Sequence, residues 1–419
     1  MIRDVFLAFG IAMSYAAQLS VPGLPVGFSE LFLMLWILLS ITRILAGGRL
    51  EVTPALVKLA GFWLILTFTL GVGSIIGFLT TTLFLDPLLH DTMAYGLLIC
   101  VTCLAAAEPD AAHRLRRIAW WMIAVASAGF LVQVGVGFGW IHQSGVNPWY
   151  WDRFCGWSEN PNQLALYCAL LGPLALHLAI TTSNPWGRCL GLCSVILTFY
   201  VGRLTKSDTY LYTTVLACLI LLGLRVRAWL ANDGGKVSLS RQLALLFTIA
   251  FLPLSVSIAP YALSEAANAE NFAKSLTKDK GGEATSETAA LRLYLWDEAL
   301  NKGARSGSLG LGPGPHLDRP PIVNQQFLPR PFEAHSTMLD LYTQGGLIAV
   351  LALVWILGSA AWSAWRARLD ALVALMASIA VFSAPHLIIR HPIVWFCLTL
   401  CLVAGTPQAI PAIVRQRRY

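Results

Sequence analysis

"HSTMLDLYTQGGLIAVLALVWILG", residues 335–358, decides the fold. Behind its polar opening lies an apolar run long enough to cross a bilayer, which takes about 20 residues. A histidine stands where that run meets water, at the end of the longest polar loop in the chain. The same pattern recurs throughout. Of 419 residues, 57% are hydrophobic and 12% charged, whereas soluble domains carry about a quarter charged residues.

Apolar spans are predicted at 4–20, 27–46, 54–79, 91–107, 117–138, 163–182, 188–203, 208–224, 242–263, 336–358, 369–386 and 392–408. The expected fold class is therefore all-α: a polytopic integral membrane protein with about twelve transmembrane helices and one long loop containing short helices. Residues 1–263 would hold helices one to nine, 264–335 the loop, and 336–419 helices ten to twelve with a C-terminal tail. No cleavable signal is read at the N-terminus, so the first span is expected to be retained.

The net charge of +7 does not imply nucleic acid, because the basic residues follow topology and form no binding face. With the N-terminus inside, one side collects Arg3, Arg43, Arg49, Lys58, Arg114, Arg116, Arg117, Arg188, Arg225, Arg227, Lys236, Arg241, Arg366, Arg368, Arg415, Arg417 and Arg418. The short loops opposite hold only Arg153, Arg203, Lys206 and Arg390. Lysine and arginine mark the cytoplasmic side, so both termini are expected there. The 264–335 loop would then be periplasmic in a bacterial inner membrane. Most cysteines lie in apolar segments and read as small buried hydrophobes. Only Cys155 falls in a loop, so no disulfide framework is implied.

Four polar stretches share the far side: 153–163, 202–209, the long loop, and 384–392. The first half of the loop is rich in alanine, glutamate and lysine, which predicts short surface helices. "GLGPGPHLDRPP" (310–321) follows as a turn-rich segment. Several arginines near helix ends suit a diphosphate, whose oxygens the guanidinium fork matches bidentately. His335 titrates near neutrality and can take or give a proton. His316, His386, His391 and Glu333 lie on the same side, with nothing in the sequence to rank them above structural roles. No Asp-x-Asp pair, Walker-type glycine loop or zinc-spaced ligand set is found. Group transfer here is therefore expected to need neither metal nor cofactor, with arginines taking up the leaving-group charge.

"RLYLWDEALNKGARSGSLGLGPG" (292–314) resembles the Arg-x-x-x-Trp-x-x-Ala…Gly-x-Gly-x-Gly signature of the O-antigen ligase family, within the ligase and polymerase superfamily. Arg292, Trp296, Ala299, Gly310, Gly312 and Gly314 fill its positions. His335–Ser336, with Leu339 and Gly346, resembles the family's histidine motif at a helix start. "RFCGWSENPNQLA" (153–165) resembles its Arg-x-x-Gly…Asn-Pro-Asn-x-x-Ala motif through Arg153, Gly156, Asn160, Pro161, Asn162 and Ala165. Two positions depart. Ala349 replaces a helical glycine, and Ser207–Asp208 stands where the family usually has Ser-Arg.

The resemblance implies glycan transfer from an undecaprenyl-diphosphate-linked O-antigen donor to a lipid A–core acceptor. It implies His335 as catalytic base, with Arg292, Arg203 or Lys206, and Arg153 toward the diphosphate. Within the superfamily one large outside loop points to a ligase, whereas polymerases tend to have two. The Arg292-to-Gly303 spacing also fits a polymerase pattern. Protein oligosaccharyltransferases are usually longer. A transporter or flippase would instead show pseudo-symmetric halves and helices interrupted at midplane.

Overall fold

The computed structural model describes residues 2–19, 27–80, 84–231, 281–318 and 331–406. The predicted ninth span, residues 264–280 of the long loop, the segment 319–330 and the C-terminal tail lie outside the described residues. Twelve helices and one small hairpin are described. They are α1 (Ile2–Ala12), α2 (Phe28–Leu45), α3 (Pro54–Thr80), α4 (Leu85–Ala107) and α5 (Ala111–Gly137), then the strands β1 (Trp149–Tyr150) and β2 (Arg153–Phe154). The chain continues with α6 (Pro161–Thr181), α7 (Pro185–Leu204), α8 (Asp208–Ala231), α9 (Gly281–Arg305), α10 (Thr337–Arg366), α11 (Asp370–Ser383) and α12 (Pro392–Ala404).

The protein is an all-α polytopic membrane protein. Eight helices, α2 to α8 and α10, are long and apolar enough to cross a membrane. Their outer faces are apolar: Leu64, Phe68, Phe78, Ile196 and Leu351 are all more than half exposed. Water would not tolerate such a surface, but lipid does. α1, α11 and α12 have 11, 14 and 13 residues, short of the roughly 20 a full crossing takes. The first predicted span, 4–20, thus becomes a short helix followed by turns. α12 is buried along its whole length from Ile393 to Ala404. It sits at the centre, where Trp395 stacks against Phe62 and Trp63 of α3 at ring separations of 5.0 and 4.3 Å.

α9 departs from the expected short helices by running 25 residues without interruption. No glycine or proline occurs between 283 and 302 to break it. Its buried side chains, Leu295 and Ala299, form a small separate core with Leu317 and Ala334. That core fastens α9 to the segment leading into α10.

Charged residues gather at two ends of the bundle. At one, Glu108 is bound by Arg3, Arg43 and Arg114, and Asp4 by Arg114 and Arg117. Arg225 pairs with Asp370 at 3.4 Å, and Arg227 lies 4.5 Å over the Trp365 ring. All these basic residues belong to the set predicted to share one side. The other end carries the β1–β2 hairpin, the α7–α8 turn, α9, and the loops before α10 and α12.

Candidate functional site

The site is assembled from three segments tied backbone to side chain. The first is the loop entering α6. Gly156 adopts φ +58°, and a Cβ there would lie 2.0 Å from Gln133 Oε1. Asn160 caps α6, its side chain accepting from Asn162 N at 2.9 Å, with Pro161 at the first helical position. Both are favoured roles for these residues. Asn162 Oδ1 then accepts from Arg153 Nη2 at 2.9 Å, while Arg153 Nε donates to the Thr205 carbonyl at 3.0 Å. The Asn-Pro-Asn motif is thus a bracket for Arg153, which braces α6 against the end of α7.

The second segment is α9. Arg292 and Trp296 are one turn apart and share a helix face. Trp296 Nε1 donates to the Ala334 carbonyl at 3.1 Å. The residue after Ala334 is His335, so the Arg-x-x-x-Trp spacing carries Arg292 to the histidine. The charge of Arg292 acts on His335, and that of Arg153 acts on Arg292.

The third segment is the start of α10 with the loop before α12. Ser336 is the N-cap of α10, yet its hydroxyl makes no capping bond. Asp340, fully buried one turn inside, reaches back instead. Its Oδ1 accepts from Ala334 N at 2.7 Å and its Oδ2 from Ser336 N at 3.1 Å. Thr337 donates from N and Oγ1 to the His386 carbonyl at 3.1 and 2.6 Å. Arg390 bridges Asp91 of α4 and Glu333, at 2.5 Å to each. His386 Nε2 lies 3.3 Å from Thr209 Oγ1, which joins the first turn of α8 to the same neighbourhood.

The electrostatics leave arginines as the cations and histidines neutral. Burial lowers the His335 pKa below the ordinary 6.5, the charges of Arg292 and Arg390 lower it further, and Glu333 opposes them. Burial, then Arg292, His335 and Arg153, push His386 down to about 3. His391 falls to about 4 through burial and Arg390. Arg390 itself is raised: burial pulls it down, but Glu333 and Asp91 outweigh that. A neutral imidazole beside guanidinium groups can accept a proton at pH 7 while anionic charge is held close by.

The remaining sequence candidates separate. Lys206, at φ +49°, is exposed and pairs with the exposed Asp152 at 2.6 Å. Such a surface pair contributes little to stability. Arg203 is exposed in the last turn of α7 and its charge acts on Tyr210. Asp208, in place of the family's arginine, is exposed in the first turn of α8.

Gly312 belongs to a structural joint rather than to the histidine. α10 is broken at Gly346, which sits at φ +70°, ψ −169°, a region essentially reserved for glycine. The Thr343 and Gln344 carbonyls accept from Leu311 N and Gly312 N, both at 2.8 Å, and Leu347 N donates to the Ser308 carbonyl at 2.9 Å. The Gly-x-Gly-x-Gly loop thus satisfies the backbone groups that the break exposes. A Cβ on Gly312 would lie 2.8 Å from Ser74 of α3.

Asp91 and Asp340 were not selected from sequence, and Arg390, one of the outside arginines noted there, is taken up by Asp91 and Glu333. The available signal was an acid inside an otherwise apolar span, a placement that is costly unless functional or paired. Among the described residues, no group of three or more His, Cys, Asp or Glu side chains is arranged to hold a metal ion.

Residues 193–354 match the family model described as O-antigen ligase. The match contains the arginine–tryptophan, glycine and histidine motifs, and the resemblance to the O-antigen ligase superfamily holds over this region. The Arg153–Asn162 motif lies outside it. No curated protein and no solved structure matches the chain.

Proposed function

Proceeding from that O-antigen ligase match, we propose that the chain is a periplasmic-facing ligase of a bacterial inner membrane. It moves a glycan from undecaprenyl diphosphate to a sugar hydroxyl of lipid A–core. His335 takes the proton of the acceptor hydroxyl, whose oxygen attacks the anomeric carbon in line. The carbon–oxygen bond to the diphosphate breaks, configuration inverts, and undecaprenyl diphosphate leaves with the charge. Arg292 holds that diphosphate, with Arg153 behind it and Arg203 or Lys206 at the rim. A lipid diphosphate is already a good leaving group, so positioning and charge stabilisation supply the catalysis. Residues 264–335 are the periplasmic loop, whose described residues supply Arg292 and His335.

The observation that carries this reading is the Trp296–Ala334 hydrogen bond, which sets the Arg292 face of α9 beside His335. The polymerase reading rested on the spacing from Arg292 to Gly303. That glycine has a packing reason instead, since a Cβ there would meet the Tyr342 ring at 2.2 Å. The transporter reading gains one point from the break in α10. However, the carbonyls freed by that break are taken by Leu311 and Gly312, not left for a substrate.

The test is reconstitution in proteoliposomes with undecaprenyl-diphosphate glycan, with and without lipid A–core. Glycan-bearing lipid A–core with release of undecaprenyl diphosphate is expected. Longer lipid-linked glycan without acceptor would mean a polymerase, and unchanged glycan moved across the bilayer a transporter.

A further inference from the structure

We propose that Asp340 is the positioning residue for His335, fixing the imidazole through the two backbone amides that flank it. The inference rests on the reading of His335 as the base. Asp340 is 2% exposed, a costly place for a carboxylate unless every lone pair has work. Its two oxygens accept from Ala334 N and Ser336 N, the amides immediately before and after His335. His335 itself sits at φ +53°, an uncommon conformation for a residue with a Cβ, and its neighbours must hold it there.

The other bonds around the turn act in concert with this clamp. Trp296 holds the Ala334 carbonyl from α9, and Thr337 anchors the first helical residue to His386. The Ser336 hydroxyl leaves the capping role open. Because both Asp340 oxygens go to the backbone, the acid orients the histidine without contacting its ring. This separates it from carboxylate–histidine pairs, in which the acid binds a ring nitrogen.

Asp340→Asn is nearly isosteric but turns an N–H₂ group toward one of the two amides. Glycan transfer should lose kcat by about 100-fold, the scale of a misplaced catalytic group, with KM for the lipid diphosphate donor essentially unchanged. The acid limb of the pH profile should not move, since the ring keeps its neighbours. Hydrogen exchange at the Ala334 and Ser336 amides should accelerate whatever the activity. His335→Ala combined with Asp340→Asn should be no slower than His335→Ala alone. Trp296→Phe, which removes the indole N–H along with part of the ring, should likewise lose kcat with KM kept. Unchanged exchange, full kcat despite faster exchange, or additive losses in the double variant would each overturn the clamp. A fully active His335→Ala enzyme sinks the base assignment instead, while the exchange rates still report on Asp340.

Discussion

His335 is a single imidazole whose surroundings decide what it can do. Burial and the charges of Arg292 and Arg390 hold its pKa below 6.5, so it is neutral at pH 7. A base must be unprotonated, so kcat/KM should fall as pH drops through this lowered value, below the ordinary histidine range. Removing a neighbouring positive charge eases protonation. Arg292→Ala should therefore move the acid limb of the kcat/KM profile to higher pH as well as slow the reaction. A limb that stays in place would break the electrostatic link between the two residues. At this scale the sequence was partly legible. Arg292, Trp296, Arg153, Asn162 and His335 could be picked out because each occupies a motif position with polar neighbours. Asp340 and Asp91 could not, because Asp340 acts through the Ala334 and Ser336 amides, which only the folded turn presents, and Asp91 through Arg390, 299 residues away.

At the scale of elements, the long spans were readable because length and apolarity are local properties. The break within α10 was not. Two adjacent glycines, Gly345 and Gly346, fit a close-packed helix equally well, and only the partner loop at 308–312 reveals the interruption. Similarly, alanine and glutamate predicted helix in the long loop but not the 25-residue length of α9. The joint makes a sharp prediction. In Gly346→Ala the new Cβ would lie 2.1 Å from the Ser308 carbonyl, in a conformation that costs about 1–3 kcal/mol on its own. The melting temperature of the detergent-solubilised protein should drop clearly. Gly358→Ala, later in the same helix and facing open space, should leave it unchanged. Equal behaviour of the two variants would mean that the break is not held by that loop.

For the molecule as a whole, the segregation of charge was the most legible feature. Among the described residues, Arg3, Arg43, Arg114, Arg117 and Arg225 of the side assigned by topology pair with Asp4, Glu108 and Asp370, while Arg153, Arg292 and Arg390 gather at the other end. Buried carboxylates bridged by several guanidiniums lock helix ends together, and breaking such a pair leaves an uncompensated charge. The sidedness itself is testable. In a background lacking the nine native cysteines, Asp152→Cys should react with a membrane-impermeant maleimide in intact spheroplasts. Arg49→Cys should react only after permeabilisation. The reverse pattern would turn the site toward the cytoplasm and remove its access to a periplasmic acceptor.

In the proposed reaction one imidazole beside Arg292 carries the transfer of a glycan off its lipid diphosphate. Its most direct test is a single-turnover measurement in proteoliposomes, comparing wild type with His335→Ala at saturating donor and lipid A–core. The variant should still bind the donor but transfer glycan slower by about 10²–10⁴-fold, the usual contribution of a general base. Transfer at the wild-type rate by His335→Ala would contradict it.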